Sequence, residues 1–390
     1  MSRDPVPIGR RVAYLRVRRR LSQQSFADRL GKSKSWVDKI ERGVRSLDRV
    51  STIREIAAVL RVDPAALLGR DAQPVAAAAH REGVARIRAA LSAYPMVLGC
   101  PADREAMSPD RLAREVRHAW MTYQHARYPR LIELLPTLVT RVHRAHLRDP
   151  AAVVEAYRVT AALLVKLGEG SLAWLAADRA VSAADDDRVL LACAAIQLGQ
   201  VLPASARAKS VMLAAAHQLG PDDAKRSPGE LSLRGSLLVQ AALIAARAGD
   251  DRVVAELLDE AAGLAARVGD GHDHYRTAFG PAAVELGRVA AAVELGDGPQ
   301  AIRWHEEVIG RDGWRWLPVE HRAAHLIDVA RAYLQTNDPT NAARVLLRAD
   351  RIAPAEIRHR PAARDVVAQV VRDPDAPPTI HRLAVALGIG

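Results

Sequence analysis

The 390-residue chain is long enough for two or three domains, and its 49% apolar content can bury large cores. Aromatic residues make up only 4%, and Ala, Leu and Val dominate, a vocabulary that favours helices and excludes a β-rich fold. The net charge of +11 is confined: residues 1–70 hold 17 Lys+Arg against 7 Asp+Glu, a net of +10, whereas the other 320 residues hold 39 against 38. Positive charge gathered in one small piece points to a polyanion partner. Cys100 and Cys193 lie far apart without metal-ligand spacing and read as free or buried thiols of a reducing compartment. The N-terminal stretch MSRDPVPIGRR runs into charge rather than an apolar leader, and no stretch reaches the roughly 18–20 uninterrupted apolar residues of a membrane span. A soluble cytoplasmic protein is expected, without a membrane partner.

In chain order, IGRRVAYLRVRRR places Ile8, Val12 and Leu15 on one helical face. LSQQSFADRLG opens at Ser22 as an N-cap, buries Phe26, Ala27 and Leu30, and stops at Gly31. KSKSWVDKIERG starts at the cap Ser33, buries Val37 and Ile40, and stops at Gly43. DRVSTIREIAAVLRV supplies a fourth helix, with Val50, Ile53, Ile56, Ala57 and Leu60 inside. DPAALLG gives a fifth, capped by Asp63 with Pro64 at its first position. Helices two and three are separated only by GKS, a helix-turn-helix layout. Just here the lysines gather. Only six residues of the chain are Lys, against fifty Arg, the excess that a GC-rich genome encodes, yet Lys32, Lys34 and Lys39 fall within eight residues.

The stretches LSQQSFADRLGKSKSWVDKIERGVRS and LDRVSTIREIAAVLRVDPAALLG resemble the lambda-repressor-like (Xre) family of DNA-binding domains over most of residues 1–70. The resemblance implies that the third helix enters the major groove of an operator in double-stranded DNA. Lys34, Ser35 and Lys39 then fall on base-reading positions, with Asp38 beside them. Gln23, Gln24, Ser33 and Arg42 fall where the family contacts or supports the phosphate backbone, and Arg45 continues that edge. Lys donates to guanine without the planar fork of Arg, so a site fitted to Lys resists drift to Arg. The alternative for the lysines is a solvated helix face. Trp36 fits either a contact with thymine methyls or packing between helices. The resemblance also implies a structural pair, Arg16 with Glu41.

Residues 71–107 read as a linker with one helix of about four turns. Beyond residue 108, helical runs alternate with short breaks to the end. LIDVARAYLQTNDPTNAARVLLRADRIAP lays Leu326, Val329, Ala330 and Tyr333 on one helix, Asn337 and Asp338 on a turn, and Ala342, Leu346 and Ala349 on the next, closed by Pro354. AYRVTAALLVKLGEGSLAWLAADRAVS and AAAVELGDGPQAIRWHEEVI follow the same plan, and ALIAARAGDDRVVAELLDEAA and YQHARYPRLIELLP are weaker copies. These units resemble tetratricopeptide repeats. Turns near Arg127, Gly168, Leu202, Gly249, Gly296 and Asn337 are spaced 41, 34, 47, 47 and 41 residues, longer than the usual repeat of about 34, so several loops must be extended. The fold class expected is all-α: a five-helix helix-turn-helix domain over 1–70, then an α-solenoid of helix pairs over 108–390. Such a stack offers a concave face for a ligand.

No phosphate loop, Gly-x-Gly-x-x-Gly or nucleophile elbow is present, and no enzyme or cofactor is expected. His272, Asp273 and His274 form a trio of metal-ligand types at a loop, where polar residues are expected anyway; His321 and His325 are four apart with no third ligand, so no metal is expected. Trp304, Trp314 and Trp316 read as packing rather than as a groove wall. In the groove, HYRTAFGPAAVELGR contributes Tyr275, Arg276, Phe279 and Arg288. Arg158, Arg234, His325 and Arg331 complete the expected ligand set. Together the two resemblances imply a bacterial transcriptional regulator, an arrangement shared by peptide-sensing regulators of Gram-positive bacteria and by actinobacterial regulators of differentiation and secondary metabolism. They imply a homodimer whose repeat groove takes a peptide, a small molecule or a protein partner. The alternative is a repeat-based interaction scaffold, or an antitoxin-like partner protein, in which DNA binding is secondary.

Overall fold

The computed structural model describes residues 8–19, 21–45, 47, 50–60, 62, 67, 72–93, 108–145, 149–202, 205–220, 226–374 and 376–389. Among these the fold is all-α, with no strand. The chain forms two compact units, residues 1–82 with 377–390 and residues 83–376.

In the first unit, helices α1 (Ile8–Arg18), α2 (Gln23–Leu30), α3 (Lys34–Glu41) and α4 (Val50–Leu60) enclose Val12, Phe26, Ala27, Val37, Ile40, Ile53, Ile56, Ala57 and Leu60. The expected caps form: Ser22 accepts from the Ser25 N–H at 3.0 Å and Ser33 from the Trp36 N–H at 3.1 Å. Gly31 ends α2 at φ 62°, where a side chain would be strained. Gly9 has no room for a side chain, because a Cβ there would meet the Ile40 carbonyl at 2.0 Å, so α1 crosses α3 backbone to backbone. The expected fifth helix lies outside the described residues, except Leu67, which is fully buried in this core. Val50's side chain and the stretch 94–107 also lie outside them.

The division between units falls inside α5 (Ala72–Leu91), rather than at the expected residues 70 and 108. Val84, Ile87 and Leu91 belong to the core of the second unit, so the latter half of α5 is packed structure rather than a linker. Residues 377–390, expected in the solenoid, group with the first unit.

The second unit continues with α6 (Pro109–Gln124), α7 (Tyr128–Ala145), α8 (Pro150–Lys166), α9 (Gly170–Ala183), α10 (Arg188–Val201), α11 (Ala206–Gln218), α12 (Pro228–Arg247), α13 (Asp251–Val268), α14 (Pro281–Leu295), α15 (Gly298–Ile309), α16 (Gly313–Trp316), α17 (Val319–Gln335), α18 (Pro339–Ile352), α19 (Pro354–His359) and α20 (Pro361–Val370). α21 (Pro378–Leu387) belongs to the first unit. Five junctions use one turn. Ala126, Gly168, Gly249, Gly296 and Asn337 each sit at positive φ. The N–H of the residue after each returns to the carbonyl five positions earlier, as in Arg127 to Thr122, Glu169 to Leu164 and Asp297 to Ala292. This is the helix-ending pattern that a left-handed residue allows. Asp250, Asp297 and Asp338 then cap the following helix, each accepting a backbone N–H at 3.3, 3.0 and 2.9 Å. The break near Leu202 differs: Leu202 is extended and α11 begins at its own cap, Ser205.

The helices do not remain an open stack. Tyr128, at the start of α7, donates its hydroxyl to the Glu356 carboxylate, 228 residues away. Lys166 pairs with Glu320 and stands 3.1 Å from Glu356, whose other oxygen lies 3.4 Å from Arg360. The early and late helices of the unit are thereby clasped. Burial raises the pKa of the Glu320 carboxyl, but Lys166 and His321 outweigh it and hold the group well below the usual carboxylate range. The Lys166 side chain is 12% exposed and that of Glu356 is not exposed at all. Removing one partner of such a pair leaves a buried charge uncompensated. Lys166→Met should therefore destabilise the second unit by about 3–5 kcal/mol in denaturant unfolding, with partial recovery on adding Glu320→Gln. An unchanged midpoint would show that the clasp contributes nothing.

Candidate nucleic-acid interface and groove

α3 is amphipathic at helical spacing: Val37, Ile40 and Glu41 point inward, and Lys34, Ser35, Lys39 and Arg42 are exposed. Glu41 is the fixing point. Arg16 donates Nε to Glu41 Oε1 at 2.6 Å and Nη2 to Oε2 at 2.9 Å, the expected pair in two-pronged form. A further nitrogen, Nη1, donates to the Leu21 carbonyl at 2.7 Å, and Gln23 donates its amide to Glu41 Oε2 at 2.8 Å. One carboxylate thus ties α1, the loop after it and α2 to the end of α3.

Each residue expected at the DNA has a definite place. Gln23 spends its amide on Glu41 and supports the interface from within. Gln24 is exposed and bonds Asp28 at 2.8 Å, and Ser33 is engaged as the α3 cap. Lys34, Ser35 and Lys39 project from one face with no side-chain partner among the described residues. Asp38 pairs with Arg42 at 3.0 Å, which leaves the lysines as the uncompensated charges of the helix; Arg45 is exposed beyond its end. Trp36 is half-buried and packs against the hydrophobic core, as the packing alternative requires.

The second unit holds a cavity of about 940 Å³. Arg158, Arg276, Phe279, His325 and Arg331 line it. Arg158 is built into the wall rather than free. Its guanidinium lies 5.3 Å from the Trp120 ring, pairs with Glu155, and donates to Gln197 Oε1 at 2.8 Å and to the Tyr275 carbonyl at 3.0 Å. Beneath it, burial pushes the Cys193 thiol up to about 12, with Arg158 opposing. Arg276 bonds Asp273 and Arg331 bonds Glu294, at 3.0 and 2.9 Å. The Phe279 ring sits against Gly235, where a Cβ would come within 2.0 Å, so α12 admits the loop only because it has glycine there. The Tyr275 ring lies against Gly229 in the same way, and Tyr275, expected in the groove, does not line the cavity; its carbonyl accepts from Arg158 behind the wall.

Arg234 and Arg288 stand outside the cavity lining and pair instead with Glu260 and Asp259 of α13, at 2.5 and 2.7 Å. α12 presents Ser236, Val239, Gln240, Leu243 and Arg247 to the cavity, and α14 presents Ala283, Leu286, Gly287, Ala290 and Glu294. Helical spacing from either set misses residues 234 and 288. Sequence reasoning did not single out Trp120, Lys166, Gln197, Glu320 or Arg360, which line the cavity. Lys166 carried one signal, as a lysine in an arginine-rich chain; the others carried none.

His325 and His305 bond each other, Nε2 to Nδ1 at 2.8 Å, with Trp314 edge-on to His325. Trp314 is buried, in line with the packing reading, whereas Trp316 is 69% exposed.

The family described as a helix-turn-helix domain matches residues 7–68. No curated protein and no solved structure matches the chain. The first unit thus carries a helix-turn-helix DNA-binding domain. Among the described residues, no helix is long and apolar enough to cross a membrane.

Glu41→Ala strands Arg16 and releases Gln23, and should cost the first unit about 3 kcal/mol or more in thermal unfolding. DNA affinity should then fall on every sequence alike; retained operator binding would contradict the fixing role. Burial, with Arg348 and Arg344 adding, lowers the His305 pKa to about 4, and burial with His305 and Arg348 lowers that of His325. Both are neutral in the fold, while the unfolded chain takes up protons from about pH 6.5 downward. Stability of the second unit should therefore fall as pH drops from 6.5 towards 4, by at most about 1.4 kcal/mol per pH unit for each histidine. His325→Gln should flatten that slope, whatever it does to the midpoint at pH 7.5.

Proposed function

We propose that the chain is a cytoplasmic transcriptional regulator of the lambda-repressor-like type, without catalytic activity. It acts as a homodimer, and the second unit is a tetratricopeptide-like sensor. The observation that carries this reading is the exposed Lys34–Ser35–Lys39 face of α3, held by the buried Arg16–Glu41–Gln23 network, in the part of the chain that concentrates the positive charge. Two copies of this helix spaced about 34 Å apart read the half-sites of a two-fold operator. The repeated left-handed turns and the 940 Å³ cavity support the sensor, since that volume suits a ligand of drug size or a short peptide. An effector bound there acts by preferring one of two arrangements of the dimer.

The test separates base reading from phosphate holding. Lys34→Ala should cost about 1–3 kcal/mol on the selected operator and relax preference at one base pair. Arg42→Ala should weaken operator and random duplex about equally. A dimer contacting roughly eight to ten phosphates should show a slope of log affinity against log salt near −7 to −9. Equal proportional losses for both variants on both duplexes would refute the assignment.

A further inference from the structure

A second cavity of about 330 Å³ lies in the second unit, between the C-terminal end of α6, the loop 269–280 and the α16–α17 junction. Its charges are unevenly matched. Asp270 accepts from the Ala282 N–H at 3.0 Å. Asp273 accepts from Gln124 at 3.0 Å, from Arg276 at 3.0 Å and from the Ala278 N–H at 3.2 Å. Asp273 is thus committed on both oxygens to holding the loop, and Asp270 on one. Arg322 also lines the cavity; among the described residues it makes no ion pair, and its Nε is buried without a hydrogen-bond partner. Burial lowers the pKa of this guanidinium and Arg348 adds like-charge repulsion. Other cations of the unit, such as Arg158, Arg276 and Arg331, have a carboxylate beside them.

The cavity also offers a flat apolar surface. Trp316 lines it with its side chain largely in solvent, an unusual position for an indole in a chain with 4% aromatics. Gly271 lies against the ring, where a Cβ would stand in van der Waals contact at 3.7 Å, so the loop backs one part of the indole and the remainder, 69% of the residue, is open to solvent. His125 has its Nδ1 at 2.8 Å from the Met121 carbonyl, which leaves its other ring nitrogen for a polar contact.

We propose that this cavity is a binding site for a small aromatic monoanion, an aryl carboxylate. Arg322 holds the carboxylate and Trp316 stacks on the ring. A carboxylate matches the guanidinium fork in two parallel hydrogen bonds, and burial strengthens that pairing. The volume is at the lower end for ligand sites and fits one or two fused rings rather than a dinucleotide. The site is separate from the larger groove. The loop between them turns Arg276, Thr277 and Phe279 to the groove, and His272, Asp273 and Ala278 to this cavity.

The experiment uses the full chain and two probes, 2-naphthoate and its neutral isostere 2-naphthamide, titrated by calorimetry with indole fluorescence as a second readout. Naphthoate should bind at least about tenfold more tightly than naphthamide. Arg322→Gln should abolish that preference, and Arg322→Lys, which keeps the charge without the fork, should retain part of it. Trp316→Ala should weaken both probes and remove the quenching. Arg252→Gln, which removes an exposed charge elsewhere, should leave naphthoate affinity unchanged. Circular dichroism of each variant distinguishes loss of the site from loss of the fold. Equal affinity for the two probes, or an undiminished preference in a folded Arg322→Gln protein, overturns the proposal.

Discussion

The second unit depends on a buried ion cluster, Lys166 between Glu320 and Glu356, with Arg360 and Tyr128 on the latter carboxylate. A stack of helix pairs bonded only to neighbours has two free ends and a shallow concave face. Here residues from the beginning and end of the unit meet in one cluster. The large cavity follows from that meeting, because its walls come from α8, α12, α14, α17 and α20, which span most of the unit. Two carboxylates around one ammonium would be unfavourable alone; Arg360 and the tyrosine hydroxyl complete the compensation. Burial, with Glu320 and Glu356 nearby, raises the pKa of Tyr123, and the same factors raise that of Tyr128, so both remain proton donors to the cluster. Such an arrangement adds less stability than apolar packing of equal volume, but it permits few alternatives, since each misplacement buries an unpaired charge.

In the first unit, much was legible because its devices are local. Ser22 and Ser33 are caps three residues from the N–H groups they satisfy, and Gly31 and Gly43 are stops that φ above zero requires. Apolar spacing sufficed to name Val37 and Ile40 as core. The pairing of Arg16 with Glu41 spans 25 residues and came from family resemblance rather than pattern. Nothing in the sequence marks Gln23 as a third partner of the same carboxylate, because its neighbour Gln24 has the same chemistry and faces solvent.

In the second unit, the same rule divides the readable from the hidden. Turns at Gly168, Gly249, Gly296 and Asn337 could be read because a left-handed residue followed by an acid is a short-range signal. The clasp could not be read, since Tyr128 and Glu356 are 228 residues apart and neither is unusual for its helix. On sequence alone Arg234 and Arg288 group with the groove residues. A rotation of one or two positions around α12 and α14 decides whether a side chain meets the cavity or the acids of α13, and Gly- and Ala-rich helices do not announce which face is buried.

Cations are used differently in the two units, and this separates their chemistry more sharply than net charge does. On α3 the lysines are exposed and, among the described residues, unpaired, so their charge is available to an approaching polyanion at long range. In the second unit Arg158, Lys166 and Arg331 are buried or half-buried beside carboxylates, and their fields are cancelled within a few ångströms. A near-neutral total there reflects pairing, not a scarcity of charge. Arg322 departs from that pattern. Among the described residues its guanidinium has no carboxylate beside it, and that opening, next to the Trp316 indole, is the one the proposed aryl carboxylate would fill.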